Sequence, residues 1–405
     1  MNILIAWRNI WRNKKRTFIT ISSVTLAIVL AIFMRSFQEG SYDLMTETAI
    51  GKFTGYVQVH QKDYWKDKTI DNGMLVDPEV LKQINSVADV EGTSLRIESF
   101  ALASNKKNTK GTMIMGIEPL KEENMLSLKD KIIKGTYIGI HDKAINIGSG
   151  LAKYLDIDVG DTLVLMGQGH WGQSAINAYP VKGILKMPSP VIDKQIVFMP
   201  LSLAEEYFSF ENGATSIVVK FQDADETADI AQSINATIDT TQYQAMVWQE
   251  MSPEVVQMIQ SDRSGGVIML AILYMIIAFG VFGTVLMMAE ERKREFAVMV
   301  SIGMQKTKLM MISFYEAILM NAVGVILGIL LTIPIVYYYH VNPIPLTGDM
   351  AASMEQFGIE SAMPTAIKLS IFINNTLVVL IITAVASIYP LLSILKMNVI
   401  KSLRR

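Results

Sequence analysis

The stretch Thr17–Met34 reads TFITISSVTLAIVLAIFM, eighteen residues in a row without a charged side chain. At about 1.5 Å of rise per residue, a helix of that length crosses most of a hydrocarbon layer roughly 30 Å thick, and its flanks supply the rest. Outward from it the pattern recurs three times. Val267–Ala289 is uncharged for 23 residues and Leu369–Leu395 for 27. Leu309–Tyr339 is apolar except for Glu316 and Asn321, and it closes on Tyr337, Tyr338 and Tyr339, an aromatic run suited to a membrane interface. The chain thus reads as four spans, at 17–35, 264–289, 309–339 and 369–395.

Composition agrees. With 51% hydrophobic and 18% charged residues, 405 residues are too apolar for a set of soluble domains. A net charge of −2 lacks the basic excess of a nucleic-acid binder. The absence of cysteine excludes disulfides, thiolate metal sites and thiol catalysis. His60, His141, His170 and His340 lie far apart and form no metal-ligand spacing, so no metal site is expected.

Orientation follows from the basic residues, which are retained on the cytoplasmic side. Residues 1–16 hold Arg8, Arg12, Lys14, Lys15 and Arg16 without an acid. Arg292, Lys293, Arg294, Lys306 and Lys308 stand between the second and third spans, and Lys396, Lys401, Arg404 and Arg405 follow the fourth. The opposite ends are acidic, with Glu39, Asp43 and Glu47 after the first span and Asp349, Glu355 and Glu360 before the fourth. Both termini are therefore expected in the cytoplasm, with 36–263 as one large extracytoplasmic domain, 340–368 as a short loop on the same side and 396–405 as a cytoplasmic tail. No small-residue cleavage pattern follows Met34, so the first span reads as an uncleaved signal anchor. Ile3, Trp7, Ile10 and Trp11 share one face of a helix over 1–16, which describes an amphipathic helix lying in the interface.

In the extracytoplasmic stretch, period-two runs at 55–61, 145–147, 162–166, 181–185 and 217–221 alternate with helical patterns at 77–87, 148–155, 201–208 and 223–238. The expectation is an α+β domain inserted between the first and second of four transmembrane helices. Gly167, Gly169 and Gly172 satisfy G-x-G-x-x-G, but a strand and not a helix follows, so they read as a hairpin loop. Glu118, Glu122 and Glu123 read as a solvated helix start. No G-x-x-x-x-G-K-[ST] phosphate loop and no G-x-S-x-G elbow occur in the sequence, so neither ATP hydrolysis nor a catalytic serine is expected of this chain.

Small residues recur at every fourth position in the first span (Ser23, Ala27, Ala31) and in the third (Gly324, Gly328), the spacing that lets helices approach closely in lipid. The most informative segment is 290–308, EERKREFAVMVSIGMQKTK. Its charged start, its apolar face of Phe296, Met299, Val300 and Ile302, and a stop at Gly303 describe a short amphipathic helix between two spans. It is either a plain connection or a docking knob for a cytoplasmic partner, with the apolar face as its anchor.

These residues resemble the permease family of lipoprotein-releasing, MacB-type and FtsX-type ABC systems. Glu291–Gly303 (ERKREFAVMVSIG) is similar to the family's coupling helix, Ile147–Leu163 with 181–185 and 198–208 to its external core domain, and Ser387–Arg404 to its closing pattern. Val399 stands near a usual proline and Ala297 replaces a usual glycine. The resemblance implies a permease without enzymatic activity of its own, in the inner membrane, that transmits the motion of a cytoplasmic ABC ATPase dimer. ATP would be bound by that partner and no cofactor by this chain. Glu291, Arg292, Arg294, Glu295, Phe296, Met299, Ile302 and Gly303 would form the ATPase-docking surface. A second permease copy or paralogue, membrane lipids and a lipoprotein cargo are the further implied partners. The start of this sequence (MNILIAWRNIWRNKKRT) and Met115–Pro119 (MGIEP) look closest to the lipoprotein-releasing branch; MacB-like efflux and FtsX-like signalling are the alternatives.

Overall fold

The computed structural model describes residues 7–8, 10–12, 14–105, 108–345, 347–348, 362–396 and 398. Ile3, the loop acids Asp349, Glu355 and Glu360, Val399 and the tail residues Lys401, Arg404 and Arg405 lie outside the described residues, as does the side chain of Arg16. Two compact units are distinguished: Met1–Asp43 with Ile259–Ile344 and Ala362–Arg405, and Leu44–Met258 with Pro345–Ser361.

The first unit is helical. Its long helices are α1 (Lys14–Thr46), α7 (Pro253–Glu291), α9 (Lys306–Val341) and α10 (Leu369–Leu395), numbered with the shorter helices introduced below. Each contains a stretch long and apolar enough to cross a membrane. Val24, Ile28, Ile32, Val281, Val325 and Val379 share one buried cluster. Lipid gives helices no hydrophobic reason to associate, so close backbone approach must hold them. Gly324 and Gly328 provide it. A Cβ there would stand 2.8 Å from Val24 Cβ and 2.7 Å from Ile28 Cβ. The Thr25 hydroxyl uses the proximity and donates to the Gly324 carbonyl at 3.1 Å. Ala27 and Ala31 are buried, while the Ser23 hydroxyl donates to the Ile19 carbonyl of its own helix at 2.9 Å.

α1 and α7 run well past the apolar stretches that the sequence marks as spans. In α1, polar side chains at helical spacing support the extension: Arg35 pairs with Glu39, and the Gln38 amide donates to the Tyr42 hydroxyl at 2.8 Å. Tyr42 donates in turn to Asp262 of α7 at 2.6 Å, and Arg263 lies 3.4 Å from Glu39.

The second unit is α+β. Its strands are β1 (Val57–Gln61), β2 (Met74–Leu75), β3 (Gly92–Asn105), β4 (Asn108–Ile117), β5 (Ile132–Gly135), β6 (Ile145–Gly148), β7 (Thr162–Gln168), β8 (Ser174–Leu185), β9 (Ile196–Pro200), β10 (Gly213–Ala214), β11 (Ser216–Lys220) and β12 (Tyr243–Val247). Ten of them form one sheet in the order β12-β1-β11-β3-β4-β9-β6-β8-β5, and β7 pairs with both β3 and β8. β3, β4, β9, β6, β8 and β7 thus make a closed ring with no free edge. Among the described residues of this sheet, only β4 with β9 and β6 with β8 are parallel. Helices α2 (Pro78–Asn85), α3 (Pro119–Leu126), α4 (Ser149–Leu155), α5 (Leu201–Phe208) and α6 (Thr227–Thr237) pack on these strands. Local chemistry sets their ends: Asp77 accepts the Glu79 N–H at 2.9 Å ahead of Pro78, and the Asp193 carboxylate accepts N–H groups of Ser149 and Gly150 at 3.2 and 2.7 Å.

Alternation along β9 divides two cores. Val197 and Met199 join one with α4 and α5, whereas Ile196 and Phe198 join the other with Leu126 and Leu185. A third core lies between β1, β11, β12 and the helices α2 and α6.

A buried ionic cluster lies across β3 and α3. Arg96, 1% exposed, donates through Nε and Nη2 to the two oxygens of Glu122 at 2.7 and 2.9 Å. Ser94 Oγ adds a third bond to that carboxylate at 3.0 Å, and Arg96 Nη1 donates to the Phe53 carbonyl at 2.7 Å. The sequence reading of Glu122 as solvated is overturned, because its charge is balanced by an arginine remote in sequence. Glu118 and Glu123 instead accept backbone N–H groups of Leu95 and Lys129. Beside the cluster, burial pushes the Glu98 carboxyl up, and it pushes the His60 imidazole down to about 4 where that ring stacks on Tyr64.

Breaking one side of such a pair leaves an uncompensated buried charge. Glu122→Ala is expected to destabilise the second unit by about 3–5 kcal/mol, whereas the double variant Arg96→Met/Glu122→Leu recovers most of the loss. Thermal unfolding followed by tryptophan fluorescence distinguishes them, since Trp65, Trp171 and Trp248 report from this unit.

Candidate docking site between the second and third spans

α7 ends at Glu291, and after Arg292 a new helix, α8 (Lys293–Ser301), begins. The Arg292 carbonyl accepts the Phe296 N–H at 2.9 Å as the first turn closes, and Lys293 pairs with Glu290. At the other end, Gly303 N–H donates to the Val300 carbonyl and Met304 N–H to the Met299 carbonyl, both at 3.0 Å. This pair of bonds needs a left-handed residue after the cap, and Gly303 has φ +103°. Helix ends therefore fall where charge and glycine stand in the sequence.

Burial splits the helix into an inner and an outer face. Phe296 and Ala297 are buried against Leu309 of α9 and Ile394 of α10, with Met299, Val300 and Met304 on the flank. Arg292, 8% exposed, forms an ion pair with Glu316 of α9, which is 4% exposed, and its guanidinium lies 5.0 Å from the Phe296 ring centre. Glu295 is 3.6 Å from Arg292 Nε and 2.5 Å from Arg12. Arg12 and Glu295 are half exposed, so that contact adds little stability, whereas the Arg292–Glu316 pair is shielded. Lys306 ties the base of α9 to the Leu395 carbonyl at 3.3 Å.

Two of the expected docking residues, Phe296 and Arg292, are turned inward: they seat α8 on its own chain, because Glu316 and the apolar base of α9 and α10 draw them in. Met299 is half buried. Glu291, Arg294, Glu295, Ile302 and Gly303 remain exposed, and Val298 joins them. Ile302 is 82% exposed, an isolated large apolar side chain at the tip. Sequence reasoning missed Arg12, Leu309 and Ile394, for which no local pattern signals contact. For Glu316 the signal was present, as a single carboxylate in an apolar stretch requires a cation.

Gly324 and Gly328 meet α1, and Gly167, Gly169 and Gly172 lie at the β7–β8 hairpin, where Gln168 pairs with Ser174.

Residues 17–237 match the family model of the MacB-like periplasmic core domain, and residues 267–399 that of the FtsX-like permease C-terminal region. The chain belongs to this FtsX- and MacB-like family of ABC-type permeases, multi-pass membrane proteins with a periplasmic core domain. Among its relatives, the lipoprotein-releasing system transmembrane protein LolC of Xylella fastidiosa is 20% identical over 310 residues, 74% of each chain. LolE of Haemophilus influenzae is 20% identical over 259 residues, 62% of each chain. In solved structures, the periplasmic region of MacB from Actinobacillus actinomycetemcomitans aligns with 53% of this chain and 97% of its own, at 11% identity and a TM-score of 0.37. The extracellular domain of YknZ from Gram-positive bacteria aligns with 47% of this chain and all of its own, at 15% identity and a TM-score of 0.33.

Removing the carboxylate that holds Arg292 should loosen α8 without unfolding the rest. In Glu316→Ala, hydrogen exchange over 293–301 is expected to rise at least about tenfold, consistent with the loss of a shielded pair. Exchange in the β-sheet of the second unit should stay unchanged. Mass spectrometry of peptic fragments reads both.

Proposed function

We propose that this chain is the permease subunit of an ATP-driven system that extracts lipoproteins from the inner membrane. In this reading both termini and α8 face the cytoplasm, the second unit is periplasmic, and a separate ABC ATPase dimer docks on the outer face of α8. A second permease, either another copy or a paralogue, completes the complex.

The observation that carries the reading is the division of labour on α8. A helix that merely joined two spans would need neither a shielded ion pair beneath it nor a large apolar residue at its tip. Seated through Phe296 and Arg292, α8 forms a firm base, while Arg294, Val298 and Ile302 present an exposed outer face to a partner. A push on that face passes into α9 through Glu316 and Leu309 and into α10 through Ile394. The relatives support the cargo, since LolC and LolE are lipoprotein-releasing transmembrane proteins. Energy input also suits it, because an acyl anchor resists removal from a bilayer by about 0.8 kcal/mol per CH₂.

Two substitutions separate docking from folding. Ile302→Asp should leave thermal stability within about 0.5 kcal/mol, as expected for an exposed site, while ATPase retention on purification falls at least about tenfold. Phe296→Ala should instead cost about 3–5 kcal/mol of stability. Equal retention of the ATPase by wild type and Ile302→Asp would refute the docking face.

A further inference from the structure

A groove of about 1050 Å³ runs along the first unit, between the N-terminal helical residues, α1 and α9. Its walls are apolar, with Phe18, Leu26 and Val29 of α1 and Leu319, Leu327 and Ile335 of α9 among its lining. From Lys15 to Val29, at 1.5 Å per residue, it covers about 21 Å, more than one leaflet's share of a hydrocarbon layer roughly 30 Å thick.

Its two ends differ in chemistry. Lys14 and Lys15 line one end together with Trp7 and Trp11, whose rings meet edge to face with centres 5.9 Å apart. The turn that brings these residues over the groove is held by the Thr17 hydroxyl, which donates to the Ile10 carbonyl at 2.6 Å. Arg12 is taken up by Glu295, but among the described residues no carboxylate is paired with Lys14 or Lys15. An apolar channel closed by cations and indole rings matches one kind of molecule, a lipid with an acyl chain and a negative headgroup. A second apolar groove, between α9 and α10, holds about 780 Å³ and has no charged side chain in its lining, so it lacks that match.

We propose that the groove beside Lys14 and Lys15 binds one anionic phospholipid, from the cytoplasmic leaflet in the orientation proposed above. Its phosphate rests on the two ammonium groups, its glycerol region on Trp7 and Trp11, and an acyl chain runs past Phe18 and Leu327 toward Ile335. Bound there, the lipid fills the gap between α1 and α9 beyond the reach of their Gly324 and Gly328 contact.

The test uses the full-length chain in mild detergent with equal amounts of dioleoylphosphatidylglycerol and dioleoylphosphatidylcholine, read by native mass spectrometry. One phosphatidylglycerol per chain should be retained in preference to phosphatidylcholine by roughly thirtyfold, given the usual attraction of each basic residue to anionic lipid. Lys14→Gln/Lys15→Gln should abolish the preference, Lys14→Arg/Lys15→Arg should keep it, and Leu327→Trp should expel the lipid with both lysines in place. No retained lipid, equal retention of the two lipids by wild type, or an unchanged preference in the glutamine variant would overturn the proposal. So would a disulfide-linked dimer from Phe18→Cys in this cysteine-free chain, which would put a second copy in the groove. The readout is lipid charge, so its failure leaves the permease reading standing.

Discussion

Hydrocarbon offers no hydrogen-bond partner, and the membrane part of this protein is organised around that constraint. Backbone groups in the spans close on themselves as helices. Some polar side chains there do the same locally: Thr332 donates to the Gly328 carbonyl at 2.6 Å and Ser387 to the Thr383 carbonyl at 2.7 Å. The one carboxylate within α9, Glu316, is admitted because Arg292 neutralises it. Since the spans gain nothing from hiding apolar surface from lipid, the bare backbone at Gly324 and Gly328 replaces that driving force with close contact.

Each unit uses a shielded guanidinium–carboxylate pair to join elements distant in sequence. Arg96 and Glu122 tie β3 to α3 and reach the Phe53 carbonyl. Arg292 and Glu316 tie the start of α8 to α9. Neither pair is an efficient source of stability, because desolvating two charges offsets most of their attraction. Their physical effect is directional. An apolar contact tolerates sliding, whereas a charge left without its partner does not, so these pairs fix where one element may sit on another.

The spans, the α+β character of the insert and the stop at Gly303 were legible because each depends on local pattern: uncharged length, alternation, or a glycine where a left-handed turn is needed. What escaped depends on distant partners. The long strands β3 and β4 mix serine, glycine and alanine among their apolar positions, because the closed ring packs them against neighbours on both sides, and their period is blurred. β9 reads IVFMP, apolar throughout, since its two faces enter separate cores. Glu122 looked solvated because its arginine lies 26 residues away. Phe296 looked like a partner's anchor because its pocket is built from Leu309 and Ile394, which no spacing rule connects to it. In the candidate site, Glu316 announced its need for a cation as a lone carboxylate in an apolar stretch, whereas Leu309 and Ile394 carried no such sign.

The central claim is that an ATP-hydrolysing partner sits on α8 and drives removal of a lipid-anchored cargo. Purification of the chain from its native membrane in mild detergent, with mass spectrometry of everything retained and an ATPase assay on the eluate, tests it most directly. The account predicts a nucleotide-binding subunit in the complex and a bound lipoprotein that leaves when ATP is added. Recovery of the chain with no ATPase under any condition would contradict it, while an adaptor or a hydrolase in place of the lipoprotein would contradict the assigned cargo.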